Sequence, residues 1–382
     1  MRMQTARPFQ ARLIALCALL CANALAAKAS QADDNGMVSD GGLSVPTQPM
    51  FAFNGFGTIE EAHAFEHYGD YVFDNLQPSG IGRSRNWSGD IDSRIGLQLT
   101  SHLTSQLSGV LQVVSEYRWN DTYTPFVNWA NFQYTLTPDF SVRVGRIAMP
   151  SFMASDSRKI GFSNITARPP VEVYSLLALK TSDGIDTTYR MHFNDMTDST
   201  TLLYGKATVT NTSGVDIHST DIKGIFNTLE FGATTLHAAY QERHVDNQHP
   251  PLGKFFSLSA NYDPGTWFAS VEWVKAINFN AKGLEVPRVA WDINGGRRFG
   301  DFAPYVTIAA LQPKVNTGTI PIAQRSYAVG VRLDVMRNVD VKAQLDHVHL
   351  GAGSYGTLLN VEKGSPTGGQ FNVASFVVDF IF

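Results

Sequence analysis

The closing stretch Phe371 to Phe382 reads FNVASFVVDFIF, and laid out as a strand it has one wholly apolar face. Phe376, Val378, Phe380 and Phe382 fall on one side, Ser375, Val377, Asp379 and Ile381 on the other. An apolar stripe of this kind on an edge strand invites aggregation unless something covers it. Lipid would cover the stripe and pairing with the first strand would remove the edge. In hydrocarbon the backbone must satisfy its own hydrogen bonds, which in β form only a closed barrel achieves. The last edge strand of a soluble sandwich is the competing reading of this segment alone.

The start of the chain fits transit to such a place. Arg2, Arg7 and Arg12 flank a short apolar run from Leu13 to Ala22, followed by Ala24-Leu25-Ala26. This pattern predicts a secretory signal over residues 1–26, too short to span a bilayer as a helix. Both cysteines, Cys17 and Cys21, lie inside it, and the leucines directly before them disfavour a lipid anchor. The expected mature chain then has no disulfide and no thiolate ligand. It carries 27 basic against 34 acidic residues, a net charge near −7, which argues against nucleic acid as a partner. Residues 27–50, rich in Ser, Asp, Gly, Gln and Pro, read as a flexible periplasmic lead-in.

From residue 51 to 382 one texture persists, and no second apolar run approaches the roughly 20 residues of a helical span. Alternating runs are expected at 51–62, 91–101, 105–119, 126–136, 140–148, 184–193, 200–209, 221–231, 234–245, 255–262, 267–277, 288–295, 302–311, 326–335, 339–350 and 371–382. Sixteen is an even count, as bacterial barrels require, and it allots about 22 residues to each strand with its connection. Connections after even-numbered strands are short and carry turn residues, such as Thr137-Pro138-Asp139 and Asp263-Pro264-Gly265-Thr266; those after odd-numbered strands are generally longer. The predicted fold is all-β, a transmembrane antiparallel up-and-down barrel of sixteen strands. Sixteen strands leave a lumen for the polar face to look into.

The connection after the fifth expected strand, Met149 to Asp183, is the longest, and a loop of this length in a compact fold usually has a task. The VGR segment at Val144-Gly145-Arg146, this loop, the strand count and the final Phe together resemble the general porin family of Gram-negative bacteria. The resemblance spans the mature chain as architecture. It implies an inward-folded third outer loop that constricts a water-filled pore for passive diffusion of small hydrophilic solutes and ions. It further implies a cell outer-membrane location among lipid and lipopolysaccharide, and a homotrimer packed through the walls of the first and last strands, where Phe53, Gly55 and Gly57 lie. The connection Asn120 to Pro125 is too short for the latch loop of some porins, which puts a latched trimer in doubt.

If the loop folds in, Asp156, Arg158, Lys159, Arg168, Glu172 and Lys180 meet the barrel wall. Inward parity places Arg94, Arg143, Arg190, Lys206, Arg288, Arg332 and Lys342 there, with Asp92, Glu116, Asp186, Asp292 and Asp340. The expected pore constriction is therefore Arg94, Arg143, Asp156, Arg158, Lys159, Arg168, Glu172, Arg190, Arg288 and Arg332. Facing charges of both signs set a transverse field that sorts solutes by size and dipole. A solvated wall charge without a role is the bland alternative for each. Arg146 points to lipid by parity unless Gly145 marks a bulge.

His347 with His349, and His63 with Glu66 and His67, read as interfacial and flexible-loop residues respectively, so neither a metal nor another cofactor is expected. No HExxH, GxSxG, Walker or dinucleotide fingerprint occurs. The expectation is a channel rather than an enzyme, with a substrate-specific channel and a non-conducting barrel adhesin or enzyme as the other readings.

Overall fold

The computed structural model describes residues 50–246, 250–279, 283–313 and 322–382. The expected signal segment and, apart from Met50, the expected lead-in lie outside the described residues, as do parts of the loops near residues 248, 281 and 318.

Strands dominate because period-2 alternation runs through the chain with β-branched and aromatic residues on the outward face. Sixteen strands form one closed antiparallel barrel. They are β1 (Phe51–Ala64), β2 (Arg94–His102), β3 (Leu107–Glu116), β4 (Phe126–Thr137), β5 (Phe140–Ala148), β6 (Thr181–Phe193), β7 (Met196–Thr210) and β8 (Asp216–Phe231). The second half comprises β9 (Thr234–Val245), β10 (Leu252–Tyr262), β11 (Trp267–Phe279), β12 (Glu285–Arg297), β13 (Phe302–Pro313), β14 (Gln324–Met336), β15 (Val339–Leu350) and β16 (Gly369–Ile381). Each pairs with its sequence neighbours, and β1 closes the ring on β16 in a register that sets Gly57 opposite Phe380 and Thr58 opposite Asp379.

Closure explains the terminal aromatic stripe. Phe380 is buried with Ile59, Ile95, Val339 and Phe382 packed around it. Its ring lies over Gly57, where any Cβ would overlap it. Every strand presents at least one large apolar residue on the outer surface, among them Phe53, Leu99, Leu111, Phe132, Val144, Ile185, Leu258, Ile293, Val329 and Phe376.

One rim carries tight hairpins. Asn194 and Gly232 adopt φ of 51° and 55° there, the left-handed conformation that two-residue hairpin turns require. The other rim carries the long connections, and three of these fold into the barrel mouth. Residues 65–93 form short paired strands at Asp70–Tyr71 and Ile81–Gly82. Tyr71, Ile81 and Ile91 bury against Val171, Val348, Leu350, Leu358, Phe371 and Val373. The expectation of a loosely held first loop around His63, Glu66 and His67 is thereby corrected. His63 stacks on Trp87, and the loop is pinned by Asp70, which accepts from Ser84 N (2.7 Å) and Asn360 Nδ2 (2.7 Å). The missed signal was the apolar Tyr71-Val72-Phe73 run in a segment otherwise rich in polar residues.

Candidate functional site

The connection 149–180 enters the lumen and crosses it. It contains a 3-10 turn at Gly161–Ser163 and one short helix, α1 (Val171–Tyr174). Two kinds of wall hold it.

On the side of β14, β15, β16, β1 and β2 the contact is ionic. Arg168 is the hub: its guanidinium donates to Asp92 Oδ2 (2.6 Å), to Ser375 Oγ (2.6 Å) and to Glu60, and Asp346 lies 3.7 Å away. Arg168 is 4% exposed, so burial opposes its charge, but Glu60 and Asp92 hold the proton more firmly than in water. Lys342 donates to Gly161 O (2.8 Å) and Asp379 Oδ2 (2.6 Å), and is 3.2 Å from Asp340. Gly161 is pressed so close that a Cβ would overlap the Asp379 carboxylate, which is why glycine stands here. Arg332 donates to Phe162 O (2.7 Å) and Asn164 O (2.9 Å), with its guanidinium 4.9 Å over the Phe162 ring. Arg94 pairs with Asp92 and reaches Arg158 O, while Lys159 pairs with Glu116.

On the side of β6 to β13 the contact is apolar. Phe152 stacks on Tyr174 at 4.6 Å and meets Phe255 edge-on at 5.1 Å. Met149, Val173, Leu176, Leu177 and Leu179 complete the core with Leu203, Ile222, Phe226, Val274 and Leu311 from the wall. Polar contacts join it here: Met153 N donates to Glu272 Oε1 (3.1 Å), Tyr174 Oη to Glu272 Oε2 (2.9 Å), Ser257 Oγ to Ser151 O (2.7 Å) and Ser151 Oγ to Gln241 Oε1 (3.3 Å), and His237 Nε2 lies 3.1 Å from Pro150 O; at the edge of the ionic side, Gln324 Nε2 of β14 donates to Glu172 Oε1 (2.8 Å).

Burial pulls Lys159 down to about 8 despite the pull of Glu116. The same desolvation takes Lys180, paired with Asp74, down to about 8, and Arg158 down to about 10. Burial pushes the Glu172 carboxyl up, offset in part by the Gln324 hydrogen bond.

Of the residues expected at the constriction, Arg94, Arg158, Lys159, Arg168, Glu172 and Arg332 meet at the loop–wall contact. All but Arg332 are buried, so they fasten the loop rather than stand free in an open pore. Arg143 pairs with Asp186 at 2.6 Å, next to the exposed Asp156 of the loop. Arg190 lies exposed toward the short-turn rim and Arg288 at the loop end of β12; neither joins the cluster. Lys206 corrects the parity reading: Leu203, Gly205 and Ala207 face inward, so Lys206 points outward with Leu202 and Tyr204. Arg146 also faces outward and pairs with Asp183 (2.7 Å); the β5–β6 register runs unbroken through Gly145, so no bulge turns it in. Glu60, Asp379 and Glu272 were not singled out from the sequence as site residues, although each lies on the inward-facing side of its strand.

Cavities remain beside the loop. One of about 300 Å³ is lined by charged groups including Asp74, Glu116, Arg118, Lys159 and Lys180. Another, about 340 Å³, lies between the loop and the wall of β10 to β13.

The barrel fold recurs among solved structures. A Salmonella typhi OmpF in complex with daunomycin superposes with a TM-score of 0.59 at 11% identity, covering 87% of this chain and 97% of that one. The architecture is that of the outer-membrane porins. Within the porin fold, an anion-selective porin from Comamonas acidovorans matches with a TM-score of 0.58 at 13% identity, covering 87% and 100% of the two chains. The trimer form of OmpT, an outer-membrane protein of Vibrio cholerae, matches at 0.58 and 12%, covering 87% and 99%. No family model matches the sequence, and no curated protein does. The shared porin fold therefore rests on geometry, with sequence too divergent to carry residue roles across.

Proposed function

We propose that this chain is an outer-membrane channel for passive diffusion of small hydrophilic solutes and ions. The observation that carries the reading is the pairing of an apolar outer belt on all sixteen strands with a charged loop fastened across the lumen. The belt requires lipid. The sixteen-stranded wall encloses more space than its own side chains fill, and the loop narrows what remains. No energy source or cofactor enters the mechanism, and catalysis has no part in it. Solutes pass a field set by Arg143 and Asp186 on the wall, Asp156 on the loop, and the pairs Lys159–Glu116 and Lys180–Asp74. The signal segment, periplasmic transit and contact with lipopolysaccharide belong to the same proposal. So does a homotrimer, supported by the exposed Phe51 and Phe53 on β1 and by the trimer form of the Vibrio protein.

A substrate-specific channel is the second reading. The loop contacts much of the wall and leaves cavities of about 300 and 340 Å³ beside it, which favours this reading.

The deciding measurement is single-channel conductance of the refolded mature protein in a planar bilayer, with reversal potentials. Steady conductance steps, in threes for a trimer, support the channel. A folded, heat-modifiable barrel that never conducts sinks it.

A further inference from the structure

The cavity of about 340 Å³ beside β10 to β13 is lined by a buried carboxyl that has no cationic partner. Asp292 on β12 lines it, is 6% exposed, and has its Oδ2 buried without a hydrogen-bond partner. Glu272 lies opposite Asp292 in the β11–β12 ladder, and Glu172 of α1 adds a third carboxyl within electrostatic reach. Like charges set opposite each other on a sheet repel. Glu272 is fully engaged by Met153 N, Ser259 Oγ and Tyr174 Oη, whereas Asp292 has no such partners. Arg158 does not supply the missing charge: its guanidinium sits 5.4 Å over the Tyr174 ring and forms no ion pair among the described residues. A buried, unpaired carboxyl costs several kcal/mol unless it holds a proton or meets a cation. The rest of the cavity's lining includes the polar Asn261, Ser270, Asn294 and Thr307 and the acid Asp263, which is paired with Arg298.

We infer that this cavity is a solute subsite for a small hydroxylated primary amine, its ammonium seated on Asp292 and its hydroxyls on the asparagine, serine and threonine side chains. The volume suits a single sugar-sized ring. The inference rests on the channel reading for its biological meaning, but binding itself does not require conduction.

D-glucosamine and D-glucose make the discriminating pair, since they differ only in the amine. Calorimetry on the refolded mature barrel in detergent, at pH 6.5, is expected to show saturable heat with glucosamine and none with glucose. Asp292→Asn is expected to weaken glucosamine at least tenfold. Equal binding of the two sugars by the native protein, or glucosamine affinity unchanged in Asp292→Asn, overturns the subsite. The native-protein comparison stands even if the variant misfolds. Bilayer recordings separate the two ideas: steady conductance with neither glucosamine heat nor glucosamine block removes the subsite and keeps the channel. Glucosamine heat in a barrel that never conducts keeps the subsite and removes the channel.

Discussion

The loop 149–180 meets two unlike walls. Toward β14–β2 it is held by buried guanidinium and ammonium groups, with Arg168 among Glu60, Asp92 and Asp346 and Lys342 between Gly161 and Asp379. Toward β6–β13 it is held by Phe152, Leu176, Leu177 and Leu179 in an apolar core, with Asp292 left unpaired. Directional ionic contacts fix where the loop sits. Apolar contacts supply adhesion without register and tolerate a gap, so the vacant, unmatched acid lies on the apolar side.

The largest expected effect comes from breaking the ionic wall. Arg168→Met leaves buried Glu60 without its ion-pair partner and Asp92 with Arg94 alone, a loss of about 3–5 kcal/mol. Urea unfolding in lipid vesicles should show it, together with a larger and noisier conductance as the loop loosens; an unchanged midpoint and conductance would mean that Arg168 does not hold the loop. The apolar wall is expected to be more forgiving. Leu177→Ala should cost about 2–3 kcal/mol, the low end for buried leucine because lumen water can enter, and should leave ion selectivity unaltered. A selectivity change as large as that of Arg168→Met would erase the distinction between the walls.

A pH titration sharpens the comparison without mutation. Lys159 and Lys180 both stand near 8 when folded, below the 10.5 of an exposed lysine. Between pH 7 and 9 they shed protons, so the reversal potential should move toward cation selectivity. The sign for stability follows from the depressed values: the penalty of burying the two charges is full below about pH 8, and it fades as pH rises from there toward 10.5. A reversal potential flat across this window would show that neither lysine faces the permeating ions. The smallest effect is expected at an exposed ion pair at the edge of the cavity of about 300 Å³. Arg146 and Asp183 are 42% and 43% exposed, so Arg146→Ala should shift stability by about 0–1 kcal/mol and conductance hardly at all.

Strand existence was legible because each strand repeats a local rule. β5, β9 and β15 fall on the residues that alternation assigns; at β6, β8 and β10 the hydrogen-bonded ladder runs a few residues past the apolar pattern, and at β2 and β3 it starts later or stops short of it. Ladder ends depend on a neighbour's length, which is not local information. Parity failed at Lys206 because β7 was counted without Leu203, Gly205 and Ala207 being recognised as the inward set. The first loop looked mobile because its apolar residues find their partners far along the chain, in α1, in the loop 351–368 and on β15 and β16.

The sequence by itself determined a barrel. Period-2 patterning, alternately short and long connections and a terminal aromatic stripe are properties of neighbouring residues, and with no helical span available they leave one way to satisfy the backbone in lipid. Only the tertiary structure decided what the loop's charges do. Arg168 meets Glu60 of β1, Asp346 of β15 and Asp92 of the first loop, and Asp292 meets no cation, because pairing of buried charge depends on groups far apart in the chain converging across a closed lumen.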